Sequence, residues 1–301
     1  MTALRIILGD QISETISSMD GADPQRDIIL FCEVVAEATY VKHHKKKIAF
    51  IFSAMRHFAE DLRSKGYQVD YYHLDPKAPL SNFTAAVRHA LGAHSVEHII
   101  VTEPGEYRVG TELASWAETF DLPIFIRPDT RFLCDHAEFE TWSEGRKSLR
   151  MEYFYRDMRK KYSILMEGDQ PLGGQWNFDS DNRKPPQPSY DVPDTYLNPP
   201  DAITKDVLHL VETQFPDHMG TTDAFHFAVT AKQAKAALVQ FIEERLPHFG
   251  DFQDAMIQGK PWMYHAHIGL YLNVGLLLPL ECIAAAEQAY HRKHAPLNAV
   301  E

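Results

Sequence analysis

Five short apolar runs, separated by helical patterns in the first 130 residues, constrain this chain more than any other feature. The runs are Leu4–Leu8, Ile28–Val34, Val69–Leu74, His98–Thr102 and Ile124–Ile126. None alternates strictly between apolar and polar residues. Runs without a two-residue period predict strands of a sheet buried on both faces. Between the second and third runs, Ile48, Ile51, Met55, Phe58 and Leu62 recur at helical spacing, and Gly66 closes the pattern. A further helix is predicted over Val109–Phe120, after the turn Glu103-Pro-Gly-Glu106. Strand, helix and strand in succession imply crossover connections, hence a parallel, right-handed, doubly wound α/β sheet.

After Arg131 the rhythm changes. Residues 135–143 and 148–166 read as helices, the second carrying Tyr153, Phe154 and Tyr155. The stretch 184–200 holds Pro185, Pro186, Pro188, Pro193, Pro199 and Pro200. Proline interrupts helices and central strands, so this stretch is an exposed connector. Helical patterns follow at Thr204–Phe215, Thr230–Leu246, about Met263–Leu278 and Pro279–Lys293. The expected organisation is a Rossmann-like α/β domain over 1–131, a helical and Pro-rich linker over 132–203, and the beginning of an all-helical domain over 204–301.

Bulk properties narrow the function classes. No run of about eighteen apolar residues occurs, so no membrane span is expected. The start, Met1 to Asp10, turns polar too soon for a secretion signal and reads as a first strand. Cys32, Cys134 and Cys282 lie far apart without paired spacing, which points to a reduced, cytoplasmic setting and away from a metal site built on them. The net charge of −12 opposes DNA binding by the whole surface, because such binding draws on neutralised phosphates. One local basic stretch runs from Arg146 to Lys161, with Lys147, Arg150, Arg156, Arg159 and Lys160 between. It fits a solvated helix face as well as a phosphate-binding surface.

Candidate ligand groups gather where strands end. Gly9-Asp10-Gln11 follows the first strand, and in doubly wound sheets ligands sit at the carboxyl ends of strands near a topological switch point. A glycine there permits close backbone approach. No Gly-x-Gly-x-x-Gly is present, so there is no dinucleotide fingerprint, and the motif also fits a plain tight turn. The second run leads into Cys32-Glu33-Val34-Val-Ala-Glu37-Ala-Thr-Tyr40. Two carboxylates and a phenol at that edge suit a polyhydroxylated or heteroaromatic ligand, with Ile51 as an apolar wall. Cys32 reads as a small buried strand residue in preference to a reactive thiol. His43-His44-Lys45-Lys46-Lys47 reads as an exposed basic lead-in to the helix over 48–65.

Several segments together resemble one family, the bacterial iron–sulfur photolyases and cryptochromes, including prokaryotic (6-4) photolyases. They are Leu-Gly-Asp-Gln at 8–11, Cys-Glu-Val-Val-Ala-Glu-Ala-Thr-Tyr at 32–40 and His-His-Lys-Lys-Lys-Ile-Ala-Phe-Ile-Phe-Ser-Ala-Met-Arg-His-Phe at 43–58. Further along come Gly-Arg-Lys-Ser-Leu-Arg-Met-Glu-Tyr-Phe-Tyr-Arg at 145–156, Gly-Gly-Gln-Trp-Asn-Phe-Asp at 173–179 and the closing Ala-Pro-Leu-Asn-Ala-Val-Glu301. The resemblance implies a light-driven, FAD-dependent DNA repair lyase acting on UV-damaged DNA by electron transfer to a flipped-out lesion. A blue-light photoreceptor is the alternative within the family, and a non-catalytic chromophore-binding module is a third. It also implies a soluble monomer.

By the same resemblance the α/β domain holds a 6,7-dimethyl-8-ribityllumazine antenna, with Gly9, Asp10, Cys32, Glu33, Val34, Glu37, Tyr40 and Ile51 nearest to it. Residues 249–279 resemble the turn and helix that begin the FAD cavity, which assigns Phe249, His265, Ala266, His267, Ile268 and Gly269 to FAD. The resemblance raises Arg156, Arg159 and Lys160 as DNA contacts, on a helix expected to dock by its aromatic face. The family polypeptide continues past Ala-Val-Glu, and its cluster cysteines lie in that later part. The chain is therefore expected to be an N-terminal portion that stops before the flavin site is complete and is inactive alone, with no catalytic residue assignable. Ala266 and Gly269 stand where photolyases commonly have hydroxyl residues for the FAD phosphates, leaving only backbone N–H groups. His265 and His267, two apart on an expected helix, point away from each other and make no metal pair.

Overall fold

A computed structural model describes residues 1–186 and 191–301. Pro188, one of the connector prolines, lies outside the described residues. The chain divides into two compact units. One comprises Met1–Arg131, Leu197–Gln233 and Asn273–Leu276; the other comprises Phe132–Tyr196, Ala234–Leu272 and Leu277–Glu301.

The first unit is built on five parallel strands, β1 (Ala3–Ile6), β2 (Ile28–Cys32), β3 (Gln68–Tyr72), β4 (His98–Thr102) and β5 (Ile124–Arg127), in the order β3-β2-β1-β4-β5. The register places Leu4 beside Ile28 and Ile99. Each strand matches one of the apolar runs, and the order confirms the doubly wound reading. Burial on both faces holds for β1 and β2 and nearly throughout β4. At the edges β3 is mostly half-exposed, and β5 leaves Phe125 51% and Ile126 45% exposed. A sheet's outer strands have only one neighbour, so equal hydrophobicity does not give equal cover.

The connecting helices are α1 (Val35–Thr39), α2 (Lys45–Ser64), α3 (Phe83–Ala93), α4 (Tyr107–Ala114) and α5 (Trp116–Thr119). The single helix expected over Val109–Phe120 is two, joined at Ser115; α1 is only five residues long, and the buried stripe of α3, Phe83, Ala86, Val87 and Ala90, is half alanine. Asn82 caps α3 by accepting from the Ala85 N–H at 2.9 Å. Beneath α3 and α4 one face of the sheet forms a core of Leu4, Leu30, Ile99, Val101, Leu113 and Trp116. Trp116, fully buried, donates its indole N–H to Thr84 at 2.9 Å. At the amino edge of the sheet, buried Arg5 pairs with Asp27 at 2.6 Å and donates to the carbonyls of Ser18, Asp20 and Gly21, pinning the loop after β1.

The helix α8 (Ala202–Gln214), with the chain around it to Gln233, belongs to this same unit and not to the helical domain expected to start at 204. It packs along α2 and corrects the exposed basic lead-in at one residue, while His44 and Lys47 remain exposed. Lys45 is buried and its ammonium meets Glu212 at 2.7 Å. The Lys45 pairing, with hydrogen bonds from Thr222, holds the Glu212 carboxyl down at about 2. His44 caps α2 through Nδ1, accepting from the Lys46 N–H at 3.1 Å. Gly220, at a φ of 72°, lies against the His44 ring; a Cβ there would sit 2.0 Å from Nε2. Gly220→Ala therefore both strains the backbone and displaces the cap, and is expected to cost about 1–3 kcal/mol in urea unfolding. A loss below roughly 0.5 kcal/mol, the range of an ordinary surface change, would show that this junction does not secure α2.

The second unit contains α6 (His136–Ser143), α7 (Met151–Tyr162), a two-residue hairpin β6 (Met166–Glu167) and β7 (Gln170–Pro171), most of α9 (Ala231–Glu244), α10 (Leu246–Phe252), α12 (Pro279–His291) and α13 (Leu297–Val300). The helix expected over about Met263–Leu278 is much shorter: α11 spans Gly269–Val274. Left-handed backbone at Met263 (φ 44°) and His267 (φ 52°) breaks the helix before it, and Gly275 (φ 85°) ends it. Apolar spacing alone does not reveal such breaks. Among the described residues no helix is long and apolar enough to cross a membrane.

Candidate functional site

The strand order places the topological switch point between β1 and β4, whose chains leave in opposite directions. Two loops meet there: Gly9 and Asp10 after β1, and Pro104, Gly105 and Glu106 after β4. Gln11, fully buried, ties them, its amide donating to the carbonyls of Thr102 and Glu103 at 3.2 Å each. Arg131 holds the Asp10 carbonyl at 2.7 Å while its guanidinium pairs with Asp129 at 2.6 Å. Asp10 is close enough that a Cβ on Gly105 would lie 3.7 Å from Oδ2. Burial pushes the Asp10 carboxyl up, against the opposing pull of Arg131.

The wall of the crevice comes from α2. A Cβ on Gly9 would sit 2.9 Å from Ile51 Cγ2 and 3.2 Å from Met55 Sδ. Glycine is required for α2 to approach the loop this closely. From the other side α1 supplies Glu37 and Tyr40. Arg108, on α4, reaches across: its Nη2 donates to Glu37 at 2.9 Å and its guanidinium carbon lies 4.5 Å from the centre of the Tyr40 ring. Glu37 Oε1 is buried, approaches Arg108 to 2.9 Å without a bonding geometry, and takes no hydrogen bond. Burial raises the Glu37 carboxyl, partly offset by Arg108. The Arg108 charge offsets the burial of Oε1, whose lone pairs can still accept an N–H or O–H from a bound molecule.

The residues singled out from sequence thus divide. Gly9, Asp10, Glu37, Tyr40 and Ile51 converge on the crevice. Cys32 and Val34 turn their side chains into the sheet core. Burial raises the Cys32 thiol to about 12, so it is no nucleophile. Glu33 is also withdrawn. Its carboxylate accepts from Arg56 at 2.7 and 2.9 Å, from the Tyr71 hydroxyl at 2.7 Å and from the Leu74 N–H at 2.8 Å. Four donors occupy its lone-pair sites, so the side chain is a structural clamp and offers a ligand nothing. Arg108, Glu106, Met55 and Arg131 were not found in sequence. The Glu103-Pro-Gly-Glu106 turn marks a loop, but only strand order makes it a neighbour of Gly9.

In the second unit the 249–269 residues do not form one cradle. Phe249 packs edge-to-face on Phe241 with centroids 5.7 Å apart and lines a pocket of about 300 Å³ with Tyr155, Trp176 and Asn298. His265, Ala266, His267, Ile268 and Gly269 are not among its walls. Ile268 is buried, His267 lies against Trp262 at 5.1 Å, and α11 is six residues long. The His265 and His267 rings are 6.2 Å apart in the turn. Among the described residues no three His, Cys, Asp or Glu side chains are grouped to hold a metal ion.

Residues 5–227 match the family model of deoxyribodipyrimidine photo-lyase-related proteins. The chain belongs to this family. It is 51% identical, over all 301 residues, to a (6-4) photolyase of Agrobacterium fabrum, and it spans 59% of that protein's length. It is also 22% identical over 149 residues, 48% of this chain, to an uncharacterised protein of Acanthamoeba polyphaga mimivirus, covering 74% of the latter.

In this photo-lyase-related chain the basic stretch does not present the three cations expected of it. Arg159 is buried, donating to the carbonyls of Ile164 and Leu165, with its guanidinium 5.2 Å from the Trp176 ring. Arg156 is paired with Glu152, and Lys161 with Glu138 at 2.6 Å. Lys160 is exposed, with its ammonium 5.4 Å from the Trp176 ring. The helix docks by an aromatic side, as Trp142 and Phe154 meet at 5.1 Å, but α7 turns Arg159 inward with it. Arg159 is therefore removed from the set of candidate phosphate contacts.

Proposed function

We propose that the α/β unit binds an antenna chromophore of the ribityllumazine class in the crevice at the switch point. The observation that carries this is the meeting of the β1 and β4 loops at the switch point, with α2 packed on Gly9 and a buried Glu37 oxygen that takes no hydrogen bond. An apolar wall beside carboxylates able to accept further hydrogen bonds suits a flat heterocycle with N–H groups and a polyol tail. Ile51 and Met55 contact the ring, Gly9 lets α2 close on the loop, Glu37 orients the ring by accepting a hydrogen bond from it, and Tyr40 closes the rim. Bound there, the chromophore would absorb light and pass the excitation to a second chromophore. Titrating the chain with 6,7-dimethyl-8-ribityllumazine is expected to give a saturable fluorescence change at one equivalent. A linear, unsaturable response would reject the assignment.

We further infer that this unit serves a light-dependent DNA repair flavoprotein of the (6-4) photolyase kind. Support comes from the 51% identity to the (6-4) photolyase along the full chain. FAD would supply electron-transfer chemistry in such a protein. The residues assigned to it here do not converge, so no step is derived through the flavin. Residues 1–301 are accordingly expected to purify without stoichiometric FAD and to leave a lesion-bearing oligonucleotide unrepaired under blue light. A yellow, equimolar flavoprotein would show that the 265–269 turn binds FAD after all.

A further inference from the structure

The crevice has an electrostatic character that the chromophore assignment does not use. Three carboxylates, Asp10, Glu37 and Glu106, come to it from three different strand ends. Two guanidinium groups accompany them, and both are committed. Arg131 is held by Asp129 and by the Asp10 carbonyl. Arg108 is held on two points by Glu106, Nε to Oε1 at 3.1 Å and Nη2 to Oε2 at 2.8 Å, while also donating to Glu37. On the Tyr40 side Lys47 is exposed and bonded to His43 at 3.3 Å. Glu37 Oε1 lies 2.9 Å from Arg108 Nη2 as an ion pair and takes no hydrogen bond. Electrostatically the carboxylates feel one another: Glu106 raises both Asp10 and Glu37, though burial is the larger cause for each.

We propose that Glu106 is a specificity-determining residue of this crevice: by holding Arg108 in a two-point ion pair it denies the site a cation, so that the crevice takes an uncharged, hydrogen-bond-donating polyol ligand and refuses the phosphate ester of the same molecule. The inference rests on the chromophore assignment. A planar guanidinium is well suited to bind phosphate through two parallel N–H donors. Here the Nε–Nη2 edge of the fork is filled by the Glu106 carboxylate from the N-cap of the same helix, and a phosphate entering beside it would be repelled by the carboxylates of Asp10, Glu37 and Glu106. A polyol, in contrast, donates to the carboxylates and needs no cation.

The test compares ribityllumazine with its 5′-phosphate on the same protein, so the ring contacts cancel. The wild-type chain is expected to bind the uncharged ligand about tenfold or more tightly at low salt. That preference should narrow as ionic strength rises. In Glu106→Gln it is expected to shrink at least about threefold, because one carboxylate is lost and one side of the Arg108 fork is freed. Using the ratio of two affinities measured on one sample removes any effect of partial unfolding. Equal or tighter binding of the phosphate ester by the wild-type chain would overturn the proposal while leaving the chromophore site standing. A preference unchanged in Glu106→Gln would take the role away from Glu106. Failure of both ligands to bind would overturn the chromophore assignment and this inference with it.

Discussion

Glu33→Ala is expected to destabilise the α/β unit by about 3–5 kcal/mol, the range for breaking a buried ion pair from one side. The carboxylate is fully buried, and its removal strands four donors on three residues at once. Arg56, whose side chain is 14% exposed, loses both bonds of its fork, the buried Tyr71 hydroxyl loses its acceptor, and the Leu74 N–H is left unpaired. Most of the cost comes from the charge that remains. Thermal unfolding followed by circular dichroism should show a fall of roughly 6–20 °C for a unit of this size. Removing both partners, as Glu33→Met with Arg56→Met, is expected to cost less than Glu33→Ala alone. A loss under about 1 kcal/mol would mean that water replaces the carboxylate and that Glu33 remains free for a ligand.

Ile51→Trp is expected to lower ribityllumazine affinity by about tenfold to a hundredfold, because the indole takes up space the ligand needs beside the wall. The neighbour here is backbone. Ile51 Cγ2 already stands 2.9 Å from the position a Cβ on Gly9 would take, so the larger ring is driven into the space above Gly9. Ile51 is only partly buried on α2, which lets the indole extend into the crevice with the fold retained. An unchanged melting temperature together with lost binding is the expected pair of results. Retained saturable binding in a folded Ile51→Trp protein would move the chromophore elsewhere. The variant also separates the two ligand questions, because it removes both lumazine and its phosphate ester, whereas Glu106→Gln alters only their ratio.

What the amino-acid order determined by itself was the α/β rhythm, the five strands and the long helices α2, α8 and α12. These depend on short-range periodicity and on Gly and Pro punctuation, which are local properties of the chain. The placement of Gly9, Asp10, Glu37 and Tyr40 just beyond strand ends was legible for the same reason, while Ile51 was legible as an apolar position on the helix α2. The remainder depended on contacts between distant residues. Whether Glu33 faces a ligand or the core was decided by Arg56 and Tyr71, 23 and 38 residues away. Whether Lys45 is exposed was decided by Glu212, 167 residues away. Strand order alone made the 104–108 loop a neighbour of Gly9, and so brought Glu106 and Arg108 into the crevice. Left-handed backbone at Met263 and His267 ended a helix that apolar spacing predicted, because periodicity records which residues prefer burial and not the dihedral angles the chain adopts to bury them. Burial and charge pairing are properties of a packed interior, and only the tertiary structure assigns them.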